Sequence, residues 1–297
     1  MSYPFTEIII VYNPNSTGDS EENARTLQKK LTGKLSEVKL TVIATEFAGH
    51  GEELGIKLAR KKHQKLILSS SGDGGYNELI NGVLSVGTDT TTVAVIPSGN
   101  ANDHHHATAE RDLIKRIVRG KTRSIDVLRL SGVSAGEQIT KYAHSYMGFG
   151  ITPYIARQLN LMDLNPLNEK WLVLKYLLKF SSVRVQLEKN AAPHRYASVL
   201  LGNIGHMSKV ISLSDHAALD DGSMEVYIHT RRSLWGYART LFRGAVYGLK
   251  PDRRVKNFWF KTTHSLDMQC DGEVLTLDKN TEASVEVAKK GLKTLAP

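Results

Sequence analysis

Ser69 to Val83 reads SSSGDGGYNELINGV, and the architecture of the chain can be read outward from it. Before it, Lys65-Leu-Ile-Leu-Ser-Ser is the short apolar run of a buried strand, and after it Tyr76 to Leu84 carries a helical pattern. Gly72-Asp73-Gly74-Gly75 is therefore read as a tight strand-to-helix turn. Such a turn suits phosphate, because glycine lets backbone approach a ligand closely and the unpaired N–H groups of a helix N-terminus face the anion. Asp73 is the odd residue. A carboxylate beside phosphate needs an intervening divalent cation, or an attacking hydroxyl whose proton it can take, so Asp73 points to phosphoryl transfer. The plainer alternative is a βα turn whose glycines only satisfy geometry. The loop is not a Walker A, since no Gly-Lys-Ser/Thr follows. It is not a full dinucleotide fingerprint either, since Asn77 stands in the third glycine's place.

Upstream, Glu7-Ile-Ile-Ile-Val-Tyr is a continuous apolar strand that runs into Asn13-Pro-Asn-Ser-Thr-Gly18. A helix over 23–31, a strand over 38–44 ending at Thr45 and a helix over 51–62 lead back to the strand before Asp73. Downstream, Thr92-Val-Ala-Val-Ile ends at Pro97-Ser-Gly-Asn-Ala-Asn-Asp103. This β-α-β-α-β alternation predicts a doubly wound sheet, whose ligand crevice lies at the carboxyl ends of its strands. Asn13, Thr45, Asp73 and the 97–103 loop all fall on that edge.

After a helix over 112–119, stopped by Gly120, the pattern changes. Strands are read over 124–130, 142–149, 183–188, 197–203, 224–229, 258–262, 274–277 and 283–287, with helices only over 171–180 and 233–247. The expectation is two domains: an α/β domain over 1–128, a β-rich domain over 129–287, and a tail over 288–297 that returns to the first.

The chain has 297 residues, 41% of them hydrophobic, and a single cysteine, Cys270, so no internal disulfide can form. The opening MSYPFTEIII lacks the charged and apolar regions of a signal peptide, and no apolar stretch approaches the ~20 residues a membrane helix needs. A cytoplasmic location is expected. The net charge of +9 concentrates between Arg231 and Lys261, where nine Lys/Arg face one acid, Asp252. Interleaved with Leu234, Trp235, Tyr237, Leu241, Phe242, Val246 and Tyr247, these charges resemble an interfacial helix docking on anionic membrane, not a nucleic-acid site. A helix packed on its own domain with a basic outer face is the alternative.

Five motifs in order carry a resemblance: Asn13-Pro14 with Gly18; Ser71-Gly-Asp-Gly74 with Asn77-Glu78; Pro97-x-Gly99-x-x-Asn102-Asp103; Asp221-Gly222; and Asp271-Gly-Glu273. Together they resemble the diacylglycerol kinase catalytic-domain family, which includes bacterial lipid kinases and sphingosine kinases. The resemblance implies an N-terminal NAD-kinase-like α/β domain and a C-terminal β-sandwich domain. It also implies Mg²⁺-dependent transfer of the γ-phosphate of ATP to a lipid hydroxyl, at the inner face of a membrane, and leaves a homodimer open. By matched position it assigns Asn13, Thr45, Gly72, Gly74, Gly75, Glu78, Ser98, Gly99, Asn102 and Asp103 to the nucleotide. Asp73 and Asp271 become the catalytic carboxylates, with Asp271 favoured as base and Glu273 beside it. Asp221, with Ala218 and Ser223, matches a structural Mg²⁺ site, where a plain Asp-Gly turn is the alternative. Three departures stand out: Gly75 replaces the family's threonine, Asn100 replaces a threonine or serine, and His104-His105-His106 replaces Phe-Ala-Arg. Consecutive histidines on a helix do not face one another, so they are read as a helix start, not a metal site. The other readings are a NAD kinase, against which Asp271-Gly-Glu273 argues, and a catalytically silent lipid- or nucleotide-binding homologue.

Overall fold

In the computed structural model the first half of the chain alternates strand and helix as the apolar runs require. In order come β1 (Glu7–Tyr12), α1 (Ser20–Thr32), β2 (Lys39–Ala44), α2 (His50–Ala59), β3 (Lys65–Ser71), α3 (Asp73–Val86), β4 (Thr91–Pro97), α4 (Asp103–Ala107) and α5 (Leu113–Arg119). The structure describes residues 3–16, 18–99, 102–108, 112–160, 180, 182–207, 211–212, 218–230 and 248–297. The helices expected over 171–180 and 233–247, and Asn100, therefore lie almost wholly outside the described residues. The strands form a parallel sheet of order β2-β1-β3-β4. Every residue of β1 and β3 is buried, as strands with both faces covered must be.

The remaining elements are β5 (Thr122–Ser134), β6 (Glu137–Ala143), β7 (Tyr146–Gly150), α6 (Ile151–Asn160), β8 (Val183–Gln186), β9 (His194–Tyr196), β10 (Ser198–Gly202), β11 (His206–Met207), β12 (Ile211–Ser212), β13 (Met224–His229), β14 (Arg253–Val255), β15 (Asn257–Thr262), β16 (Leu266–Cys270), β17 (Glu273–Leu277) and β18 (Glu282–Leu295). Two six-stranded sheets have the orders β14-β13-β10-β7-β16-β17 and β6-β5-β18-β15-β8-β9. A core of alternate strand residues, among them Leu130, Phe149, Leu201, Val226, Phe260, Met268 and Val285, packs together. An α/β domain followed by an antiparallel β domain is the fold class read from the sequence.

The chain divides into one unit of Met1–Val127 with Lys289–Pro297 and a second of Leu128–Ala288, so the boundary falls inside β5 and inside β18. In the first unit Arg116 donates to the carbonyls of Leu295 (2.6 Å) and Ala296 (2.8 Å), and Leu295 is fully buried in the core. Two details differ from the sequence reading. The expected strand 142–149 is two strands broken at His144-Ser145, and α3 begins at Asp73. Only Gly72 of the glycine loop therefore lies outside the helix, as an extended cap (φ −78°, ψ −178°).

Candidate active site

The carboxyl ends of β1, β2, β3 and β4 are drawn together by backbone hydrogen bonds that prolong the sheet: Thr45 N–H to Tyr12 (2.8 Å), Asn13 N–H to Ser70 (3.2 Å) and Ser98 N–H to Ser71 (3.2 Å). Against this edge lies a cavity of about 250 Å³ lined by Val11, Tyr12, Asn13, Asn15, Thr45, Phe47, Ala48, Ser69, Ser71, Gly75 and Glu78. Four of the expected nucleotide residues, Asn13, Thr45, Gly75 and Glu78, meet there. Beside it the first turn of α3 leaves N–H groups with no carbonyl a turn earlier, the standard setting for an anion.

The other expected nucleotide residues build this edge without lining the cavity. Gly72 and Gly99 touch backbone to backbone, so that a Cβ on Gly99 would run into the Cα of Gly72. That contact is why both are glycine; neither has a positive φ. Gly74 lies within the first turn of α3. Ser98 is buried, its hydroxyl joined to Ser70 Oγ (3.0 Å) and Asn23 (3.0 Å), while its carbonyl accepts from Gly18 N–H (3.1 Å) and the Ser16 hydroxyl. Asn102 adopts left-handed backbone (φ 53°), which asparagine tolerates better than most residues, and its amide closes on Gly99 at both ends (3.0 and 2.6 Å). Asp103 is buried at the start of α4. The side-chain polar atoms of Ser98 and Asn102 are thus engaged within the loop and its neighbours.

Asp73 also has a structural task. Its Oδ2 accepts from Asp103 N–H (3.1 Å) and Oδ1 from His104 N–H (3.3 Å), capping α4 with a carboxylate where the helix dipole favours one. A carboxylate offers about four acceptor sites, and among the described residues these two bonds are the ones Asp73 accepts. Glu78 works similarly, taking Gly49 N–H (3.1 Å) and Gly51 N–H (3.2 Å) at the entry to α2. Of the three histidines, His104 is buried against Tyr76 (ring centroids 5.0 Å apart), His105 is partly buried and His106 is exposed. Among the described residues no group of three His, Cys, Asp or Glu is placed to hold a metal.

In the second unit Asp271 sits in left-handed backbone (φ 50°) with 1% exposure. Its carboxylate accepts from the N–H groups of His144 (2.8 Å), Ser145 (3.1 Å) and Tyr146 (2.9 Å), and His144 Nε2 lies 3.1 Å from Oδ2. This breaks the expected strand 142–149: N–H groups that would have entered a ladder turn instead to the carboxylate. With its acceptor sites so used, Asp271 holds the backbone of residues 144–146 in place. Glu273, two residues on, opens β17 only partly buried. Burial, with Asp271 and Glu273 adding to it, pushes the neighbouring Cys270 thiol well up, which leaves it without thiolate character.

Ala218, Asp221 and Ser223 do come together, but not as cation ligands. Asp221 Oδ1 accepts from the Ser223 N–H (2.8 Å) and hydroxyl (2.7 Å), and Oδ2 is ion-paired with Arg254. Partial burial pushes the Asp221 carboxyl up, yet the Ser223 donors, the Arg254 guanidinium and the Ala218 N–H outweigh it and hold the group below its usual range. A metal needs acceptors facing it, and here the carboxylate already faces donors. The expected structural Mg²⁺ does not fit this arrangement, and the Arg254 guanidinium, counted in the sequence only as part of the basic segment, faces the carboxylate instead.

Residues 7–130 match the family described as the diacylglycerol kinase catalytic domain. A diacylglycerol kinase of Bacillus subtilis is 27% identical over 147 residues, 46% of this chain and 47% of that protein. A diacylglycerol kinase of Staphylococcus haemolyticus is 24% identical over 280 residues, 89% of this chain and 81% of that protein. Among solved structures, a diacylglycerol kinase from Bacillus anthracis superposes with a TM-score of 0.74 at 16% identity, covering 100% of this chain and 99% of that one. Yeast NADH kinase gives 0.56 at 11% identity, covering 99% and 84%. The structural likenesses establish the fold.

Proposed function

We propose, on the match of residues 7–130 to the diacylglycerol kinase catalytic domain, that this chain is a lipid kinase that transfers the γ-phosphate of ATP to the hydroxyl of a diacylglycerol-like lipid. The observation that carries this reading is the cavity at the sheet edge beside the first turn of α3, where Asn13, Thr45 and Gly75 meet. The N–H groups of that turn hold phosphate oxygens. Asp73, which accepts two bonds among the described residues, is a residue of this unit that would ligate the Mg²⁺ accompanying ATP; the ion would supply neutralisation of the phosphate charge. Asp271 fixes the backbone at residues 144–146, and Glu273 is the carboxylate that takes the proton from the lipid hydroxyl.

The lipid substrate requires work at a membrane surface. No helix among the described residues is long and apolar enough to cross one, so we propose peripheral docking through the basic segment 231–261, most of which, residues 231–247, lies outside the described residues.

Labelled ATP, Mg²⁺ and a total lipid extract test the reading: phosphate should appear on a glycerolipid. Glu273→Gln should lower kcat by about 10² or more with an unchanged melting temperature, since a partly buried strand-end carboxyl carries little core. Asp271→Asn should instead cost roughly 2 kcal/mol or more of stability, because an amide would set N–H against N–H in a buried site. Full activity of Glu273→Gln would remove it as base, and no labelled lipid at all would return the chain to the silent binders.

A further inference from the structure

Phe47 is one of three large hydrophobic residues that stand exposed among the described residues, and at 52% exposure it is the one that lines the cavity. Its ring lies parallel to that of His50, 7° apart in plane and 4.8 Å between centroids, so one aromatic face is already backed and the exposure belongs to the other. The backing is rigid. His50 opens α2 and its Nδ1 accepts the Glu46 N–H (3.0 Å), which fixes the ring. The entry to α2 is in turn held by Glu78 of α3, the helix that presents Gly75 to the same cavity. An aromatic platform is thus tied mechanically to the phosphate-facing turn.

We infer that Phe47, backed by His50, is the platform on which the purine base of the nucleotide stacks. The inference rests on the kinase reading above and adds to it the orientation of the ligand: base on Phe47, phosphates toward Gly75 and the first turn of α3. A cavity of about 250 Å³ supports that division, since it lies just below the ~300–1,000 Å³ of sites that enclose a whole drug-sized ligand. It takes the base and ribose and leaves the phosphates at the helix end. Thr45, Asn13 and Asn15 supply the polar groups that a nucleoside edge needs, and Phe47 supplies the flat apolar face. Because stacking uses the π-face that every base has, the platform accepts adenine and guanine alike.

The test is calorimetric titration of the full chain with ATP and, separately, with inorganic tripolyphosphate, which has the charges but no base. Phe47→Ala should weaken ATP about 5- to 100-fold, the range that loss of base stacking gives, and leave tripolyphosphate unchanged. Phe47→Trp should keep or tighten ATP binding. Equal binding of ATP by wild type and Phe47→Ala would overturn the inference alone, as would equal weakening of both ligands. No ATP binding by the wild type would overturn the kinase reading and the inference with it. An unchanged melting curve for Phe47→Ala, expected of an exposed side chain, separates a lost platform from a lost fold.

Discussion

At Gly75 a Cβ would stand 2.8 Å from Ser71 Cβ and 2.9 Å from its hydroxyl, so a side chain at 75 and the hydroxyl at 71 compete for one volume. The absence of a side chain at 75 therefore leaves room for the Ser71 hydroxyl, and both residues line the cavity. Gly75→Thr alone should destabilise by about 1–3 kcal/mol through overpacking, whereas Ser71→Gly with Gly75→Thr should recover most of that loss. Urea unfolding of the two singles and the double gives the coupling energy directly; additive effects would mean that the two positions are independent. Single residues were legible where their chemistry is local. Asp73 announces phosphate chemistry by standing among glycines, but its grip on Asp103 and His104 could not be read, because 30 residues separate donor and acceptor.

Elements were legible in proportion to how apolar they are. The strands β1, β3 and β4, buried along nearly their whole length, stand out in any window, whereas β9 and β14, three residues each and largely exposed, carry no pattern to find. Likewise β18 continues past the expected stop at residue 287 through Lys289-Lys290-Gly291, because Asp126 Oδ1 takes the N–H of Lys290 (2.7 Å) at a left-handed position (φ 52°). The pairing of Arg254 with Asp221 was illegible for the same reason: Arg254 lies on β14, and Asp221 is brought near it by the pairing of β13 with β14. If Arg254 stands in for a structural cation, the melting temperature of the wild type should be indifferent to chelator. Arg254→Ala should cost on the order of 1 kcal/mol, as a partly exposed pair does, and millimolar Mg²⁺ should restore part of it by binding the released carboxylate. A wild type that melts markedly lower in chelator would put the metal back.

For the molecule as a whole, each unit holds carboxyls below their usual range: Asp112 and Glu282 at the exposed surface, each beside a lysine, and in each unit one that is held down against the opposing effect of burial. In the first unit this is Glu7, 4% exposed, where burial pushes the group up but Lys39 (3.0 Å), His63 (2.9 Å) and Lys61 (3.8 Å) pull it further down. In the second it is Asp221. Groups lowered in the folded state contribute stability that is present above their unfolded values, 4.5 and 3.8, and lost as pH falls through the lower folded ones. The urea midpoint should therefore hold from neutrality to about pH 5 and fall steeply below it, with both units failing in one acid window. Glu7→Gln should start lower at pH 7 and fall less on acidification; an acid slope equal to that of wild type would assign the loss elsewhere. The return of Lys289–Pro297 to the first unit sets an order of events as well. Leu295 and the carbonyls that Arg116 grips are translated only after the roughly 160 residues of the second unit, so at ~5–20 residues per second a ribosome holds the first core unfinished for roughly 10–30 s. Until then its buried sheet is a nascent-chain client for chaperones, although it is the half of the chain that is made first.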